Sequence, residues 1–153
     1  MTLGKGIALR HLKQMVLKSP AWTNPANSPS KLPMLNHCIK LSYEKLESCT
    51  EKFRHFSFVI QRNEILSVGC NRRVSHDVIY PRQTYHSEYV AYHRGRRRID
   101  ARKPWAIVNV RIGNDLHIHL SKPCPTCQRF LACVGCSKVI YTIDERTTAC
   151  MRL

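Results

Sequence analysis

The clearest pattern in the chain is a change of hydrophobic period. Ile39, Tyr43 and Leu46 recur at helical spacing within "NHCIKLSYEKLESCTEK" (36–52), which predicts a helix capped by Asn36. The period then shortens. "FSFVIQR" (56–62) and "EILSVGC" (64–70) are apolar, β-branched runs joined by Asn63, and they predict an antiparallel hairpin. A polar loop follows over 71–84, and then a helix over 85–94. "WAIVNVRI" and "LHIHLS" flank Gly113, Asn114 and Asp115, a turn signal that gives either a second hairpin or one bent strand. "PTCQRFLACVG" (125–135) predicts a helix stopped by Gly135, and "KVIYTI" (138–143) a strand. The order is helix, two strands, helix, strand, helix, strand. Such alternation calls for a sheet covered by helices on both faces.

Ahead of this pattern the chain reads differently. "SPAWTNPANSPSKLPMLN" (19–36) holds Pro20, Pro25, Pro29 and Pro33 among Ser and Asn, the composition of a linker or extended arm. The expected division is a basic arm and Pro-rich linker over 1–35 and one folded domain over 36–153. At 153 residues and 43% hydrophobic, the chain can bury one proper core. No apolar run approaches the ~18 residues of a membrane span. The basic, faintly amphipathic start lacks a secretory apolar region and cleavage site, although a mitochondrial-type presequence stays open. The expectation is an intracellular, cytoplasmic protein with no membrane partner.

Charge narrows the partners. Lys and Arg number 25 against 10 Asp and Glu, a net of +15. Such an excess suits a polyanion or an anionic small substrate, or is only a solvated basic surface. "RGRRRIDARK" (94–103) concentrates it, in a stretch that reads either as a phosphate contact or as an exposed loop.

The eight cysteines, without a secretion signal, point away from a disulfide framework and toward metal. Their partner lies in "TYHSEYVAYHR" (84–94). His86 and Glu88 are two apart, and such neighbours do not share a helix face. The spacing makes sense if His86 sits at the mouth of the helix as a ligand and Glu88 leans over the same opening. Cys124 and Cys127 are three apart, on one side of a helix, and Pro125 suits its first turn. A helix N-terminus favours thiolate. His86, Cys124 and Cys127 therefore make a three-ligand set for zinc, which then keeps a fourth position for water. Zinc lowers the pKa of that water, and Glu88 can carry its proton.

A purely structural zinc site would want a fourth protein ligand, and Cys133 or Cys136 could offer one. Helical geometry opposes this. Cys133 falls roughly 180° from Cys124, and Cys136 follows Gly135 out of the helix. Both read as packing or surface thiols, and Cys38, Cys49 and Cys70 as buried small apolar residues. His117 and His119 share a strand face, as a metal pair or as the lining of the face opposite Leu116, Ile118 and Leu120. His76 reads as a substrate contact or as a solvated loop histidine, and Tyr89 as a core residue.

His86-x-Glu88 followed by Pro123-Cys124-x-x-Cys127 resembles the signature of the zinc-dependent nucleobase deaminases. The likeness is to the cytidine/deoxycytidylate deaminase superfamily, and it covers about residues 36–145. Gly69-Cys70-Asn71 stands where that family has Gly-x-Asn after the second strand. Leu131, Gly135 and "KVIY" continue the pattern past the cysteines. "SKPCPTCQRFLACVGCSKVIY" looks like the phage- and virus-type branch. Ser87 replaces a customary Ala, and the loop after Asn71 carries Arg72, Arg73 and Arg82, which match no substrate signature.

The resemblance implies a three-layer α/β/α fold with a mixed central sheet. It implies zinc-dependent hydrolysis of the cytosine amine of a cytidine or deoxycytidine nucleotide to uracil, with release of ammonia. Asn71 would hold the sugar or base, and the backbone near Lys122 and Pro123 would meet the amino group. The family often forms oligomers, so a homo-oligomer is one expectation, and host cytoplasm is the location if the source is viral. Alternatives stay open: a cytosine or adenosine deaminase of single-stranded DNA or RNA, or a non-catalytic zinc module that binds nucleic acid. The intact Glu88 argues against the last.

Overall fold

The computed structural model describes residues 32–73 and 84–153. Helix α1 spans Leu32–Glu44, and a short 3-10 turn follows at Leu46–Ser48. The helix begins four residues ahead of Asn36, because Pro33 is compatible with a first helical turn. Asn36 is therefore inside the helix, and its buried Oδ1 has no hydrogen-bond partner among the described residues. The helix also stops well short of Lys52. Leu46 and Cys49 are instead buried under the sheet.

Strands β1 (Arg54–Gln61) and β2 (Glu64–Cys70) form the expected hairpin. Its turn is Arg62–Asn63, both at positive φ (52° and 63°), the backbone that a tight two-residue hairpin demands. Two short strands, β3 (Arg72–Arg73) and β4 (Thr84–Tyr85), pair with each other. Helix α2 (Ser87–Gly95) follows, then β5 (Ala106–Ile112) and the short β6 (Ile118–His119), which pairs back onto β5. The turn at 113–115 thus closes a hairpin. Helix α3 (Pro125–Cys133) carries the chain across to β7 (Lys138–Thr142), parallel to β5, and β8 (Thr148–Arg152) closes the sheet. The strand order is β2-β1-β5-β7-β8, with β6 on β5. β8 is the element that the hydrophobic pattern did not show. It is an edge strand with exposed Cys150 and Arg152, so it lacks the apolar run of a central strand.

The sheet is mixed and covered on both faces. Alternation along β1 and β5 sends Phe56, Phe58, Val108, Val110 and Ile112 toward α1, where they pack with Leu35, Ile39 and Tyr43. Val59 and Ile107 face the other way, toward Ala91 of α2 and Leu131 of α3. Gly69 lets α2 sit directly on β2. A Cβ there would lie 2.3 Å from the Ala91 nitrogen and 2.5 Å from the Ser87 carbonyl oxygen. This close approach fixes the first turn of α2 against the sheet.

Two further features depart from the sequence reading. Cys49 and Cys70 form a disulfide, with Cα atoms 6.2 Å apart, although both read as isolated apolar thiols. The hairpin brings the end of β2 beside the segment after α1, a proximity that spacing alone does not encode. The arginine run at the end of α2 and just past it is partly structural. Arg94 Nη1 donates to the Val68 carbonyl at 3.0 Å, and Arg98 donates to the Leu66 carbonyl. Both carbonyls belong to edge strand β2, so the arginines cover a row that would otherwise invite another strand. No helix among the described residues is long and apolar enough to cross a membrane.

Candidate metal and proton-transfer site

Two helix starts converge on one point. His86 is the N-cap of α2, with extended backbone (φ −69°, ψ 151°), held there because β4 ends at Tyr85 and the helix begins at Ser87. Cys124 is the N-cap of α3 (φ −66°, ψ 162°), with Pro125 in the first turn. Its Sγ accepts from the Cys127 backbone N–H at 3.4 Å. His86 Nδ1 lies 3.2 Å from Cys127 Sγ and 3.6 Å from Cys124 Sγ. All three donor atoms lie within 4.8 Å of one another, the one group of three such side chains among the described residues to do so.

The spacing fits a metal ion. Zinc with nitrogen at ~2.0 Å and sulfur at ~2.3 Å in a tetrahedron places them ~3.5 Å apart. The donor set, one imidazole and two sulfurs, suits the same ion. Without a cation, burial pushes the Cys127 thiol upward in pKa, and the nearby Glu88 and Cys124 add to that shift. A bound cation needs the thiolate, so binding would release a proton.

Glu88 stands beside this group without belonging to it. It is only 5% exposed. Asn109 Nδ2 donates to its Oε1 at 2.9 Å, and the Cys127 thiol and Ser87 hydroxyl lie 3.6 and 3.4 Å from Oε2. Asn109 is itself locked. Its Oδ1 accepts from Ser57 Oγ at 2.7 Å, and Nδ2 also reaches the Ser121 carbonyl at 3.2 Å. Ser57 Oγ is in turn 2.7 Å from Ser87 Oγ, and Ser121 Oγ donates to the Asn109 carbonyl at 2.8 Å. The carboxylate is held closely at Oε1 and only by longer contacts at Oε2, so Oε2 is the oxygen that can exchange protons with a molecule beside it. Ser57, Asn109 and Ser121 were absent from the sequence reading. The visible signal was Asn109, a polar residue centred in the apolar run "AIVNVRI".

The other expected residues fall as follows. Asn71 lies between β2 and β3, and its amide is engaged by backbone: Nδ2 donates to the Phe53 carbonyl at 2.7 Å and Oδ1 accepts from His55 N–H at 2.9 Å. Pro123 is buried, and its carbonyl accepts from Gln128 Nε2 at 2.7 Å. Cys133 is exposed and Cys136 buried, as expected of non-ligands. The His117 ring pairs with Glu145, and His119 Nε2 with Asp115 at 3.0 Å, so the two imidazoles do not share a partner. The hydrogen bond with Glu145 raises the His117 pKa. Tyr89 is not core: it is 39% exposed, at a rim where it stacks on Tyr85 at 5.5 Å and tilts against Phe130 of α3 at 5.3 Å. His76 and Arg82 lie outside the described residues. A cavity of about 450 Å³ at the far end of the sheet, lined by Met34, Trp105 and Ile140, touches none of these groups.

No protein-family model matches the chain, and no curated protein does either. Solved structures do. The chain is similar to the dCMP deaminase of cyanophage S-TIM5 in its apo form, with a TM-score of 0.55 at 16% identity, over 76% of this chain and 86% of that one. The same enzyme in complex with dCMP and dUMP gives a TM-score of 0.52 at 18% identity, over 75% and 82%. The chain has the fold of a dCMP deaminase. The helix starts that carry His86 and Cys124 are therefore parts of a deaminase-like α/β scaffold, with the mixed sheet that the resemblance implied.

Proposed function

We propose that the chain is a zinc-dependent hydrolytic deaminase, converting the cytosine amine of a dCMP- or CMP-like nucleotide to uracil with release of ammonia. The observation that carries this reading is the buried Glu88, held at 2.9 Å by Asn109 beside the His86–Cys124–Cys127 group. His86, Cys124 and Cys127 would hold the metal. Zinc bound there supplies a Lewis-acidic position for water and lowers that water's pKa.

The chain's own residues do the rest. Water adds at C4 of the ring and the C4–N bond to the amine breaks; one of the water's two protons ends on the ring nitrogen N3, and the other must travel to the leaving nitrogen. Glu88 takes that proton on Oε2 and delivers it, while Asn109 keeps Oε1 fixed so that the carboxylate does not swing away. Ser57 and Ser121 fix Asn109. The backbone near Lys122 and Pro123 would meet the amino group, with the Pro123 carbonyl already accepting from Gln128 Nε2 at 2.7 Å. Asn71 would hold the sugar or base only if its amide released the Phe53 and His55 backbone; as it stands, it orders the start of β1.

A free nucleotide is favoured because Arg94, Arg96 and Arg98 are engaged within the chain, Arg96 by His93 at 3.0 Å. The complex of the cyanophage enzyme with dCMP and dUMP supports the same class. A base in single-stranded nucleic acid is the second reading. The exposed Tyr85–Tyr89 stack, with Arg72 5.7 Å over Tyr85, lies next to His86 and could stack a neighbouring base.

The test is to incubate the zinc-loaded protein with dCMP, CMP, cytidine and single-stranded oligonucleotides and to assay ammonia. Ammonia with equimolar uracil product from dCMP or CMP is expected. Ammonia from oligonucleotides alone would move the reading to the polymer, and ammonia from none would contradict it.

A further inference from the structure

The sheet face that carries the site is built in rows, because directly opposed residues of antiparallel strands share a face. In one row Ser57 stands opposite Asn109, and this row holds Glu88. The next row pairs His55 with Arg111 across β1 and β5, and Arg111 with His119 across β5 and β6. The two rows are two residues apart along the strand, roughly 7 Å. Three cationic or protonatable side chains thus cross the sheet one row from Glu88.

Arg111 is the incomplete member of its row. Its Nε is buried and has no hydrogen-bond partner among the described residues. Its guanidinium lies 5.0 Å from the Phe53 ring, which holds the group in place but satisfies none of its N–H bonds. Among the described residues no carboxylate forms an ion pair with Arg111. Lys52 packs on the same ring at 5.6 Å, and the carboxylate of Asp115 is engaged by His119 at 3.0 Å. His55 is held toward its neutral form, chiefly by burial, with Arg111 and His86 acting in the same direction against Glu88. A buried charged donor without a partner calls for one, and a guanidinium fork matches a phosphate.

We propose that Arg111 grips the phosphate of the substrate and so makes the site prefer a nucleoside monophosphate to a nucleoside. This rests on the deaminase reading above. A base and its own phosphate are separated by one sugar, a span suited to neighbouring rows of one sheet face. Phe53 and His55, whose backbone Asn71 holds, fix the wall against which the guanidinium lies. Arg111 is a specificity-determining residue in this account, and the chemistry at C4 does not depend on it.

The experiment compares kcat/KM for dCMP and deoxycytidine in the zinc-loaded parent, Arg111→Gln and Arg111→Lys. The parent should prefer dCMP. Arg111→Gln should lose about ten- to a hundredfold on dCMP, the scale of a charged hydrogen bond, and less than about threefold on deoxycytidine. Arg111→Lys, which keeps charge but not the fork, should fall between. An equal loss on both substrates, or none on either, would overturn the inference. A parent inert toward both substrates would instead sink the deaminase reading. In that case, binding of inorganic phosphate to the zinc-loaded protein decides: weakening in Arg111→Gln upholds the anion site, and unchanged binding removes it.

Discussion

Helix α3 begins with one Cys-x-x-Cys pair and ends with another, and the two have opposite surroundings. Cys124 caps the start of the helix and Cys127 lies one turn in, so both sulfurs turn toward His86. Cys133 is the last helical residue and is exposed. Gly135, at φ +81°, reverses the chain, and the Cys136 N–H donates to the Leu131 carbonyl at 2.9 Å. With Gly135 N–H on Ala132 at 3.1 Å this makes a Schellman ending, which buries Cys136 against Leu131. The Cys136 thiol donates to the Lys138 carbonyl at 3.3 Å, and burial pushes its pKa up to about 11. Identical spacing thus has no fixed meaning. The start of a helix aims two side chains at a common point beyond its end. A glycine-terminated end sends them apart, one to solvent and one to the core.

The largest expected effect lies at the first pair, in the residue that works beside it. Glu88→Gln should lower turnover roughly 10²–10⁴-fold, the scale of general acid–base catalysis, with the metal retained. Steady-state kinetics with metal analysis on the same sample check it, and metal loss would make Glu88 a ligand. Asn109→Ala should cost less, roughly 10–100-fold in kcat, as for residues that orient a metal site from behind. An unchanged kcat would mean that Glu88 is held by something else.

The second pair should respond in stability and not in chemistry. Cys136→Ala should lose about 1–2 kcal/mol in urea unfolding, with turnover within about twofold of the parent. The sign of its pH dependence follows from the raised pKa. The folded protein keeps the proton that the unfolded chain releases above the ordinary thiol value of 9.0, so stability should be lost as pH rises through about 11. Cys38, raised to about 12 by burial, adds a slope of the same sign, and Cys136→Ala should remove only its own share. Cys133→Ser should be the smallest change, within about 0.5 kcal/mol, because the side chain is exposed.

How much of this the sequence carried depends on distance along the chain. His86, Glu88, Cys124 and Cys127 stood out because each pair is local and sits at a recognisable helix start. The helices and the central strands followed from their periods. The layer behind Glu88 did not, since no spacing rule brings Ser57, Asn109 and Ser121 together from three separate segments. The Cys49–Cys70 bridge was hidden for the same reason. Tyr89 read as core, yet its side of α2 is only partly covered, by Tyr85 and by Phe130 of α3. Strand β8 is an edge, half exposed, and carries little apolar signal. Arg111 looked like one more charge in a chain of +15 until its row and its unpartnered nitrogen were in view.

The central claim is that one end of α3, with His86, is a metal site and that the other end is not. Metal content of the purified parent, Cys127→Ala and Cys133→Ser after zinc loading and desalting tests it most directly. The account predicts about one zinc per chain in the parent and in Cys133→Ser, and none in Cys127→Ala. Two zinc per chain in the parent, or a full equivalent retained by Cys127→Ala, would contradict it.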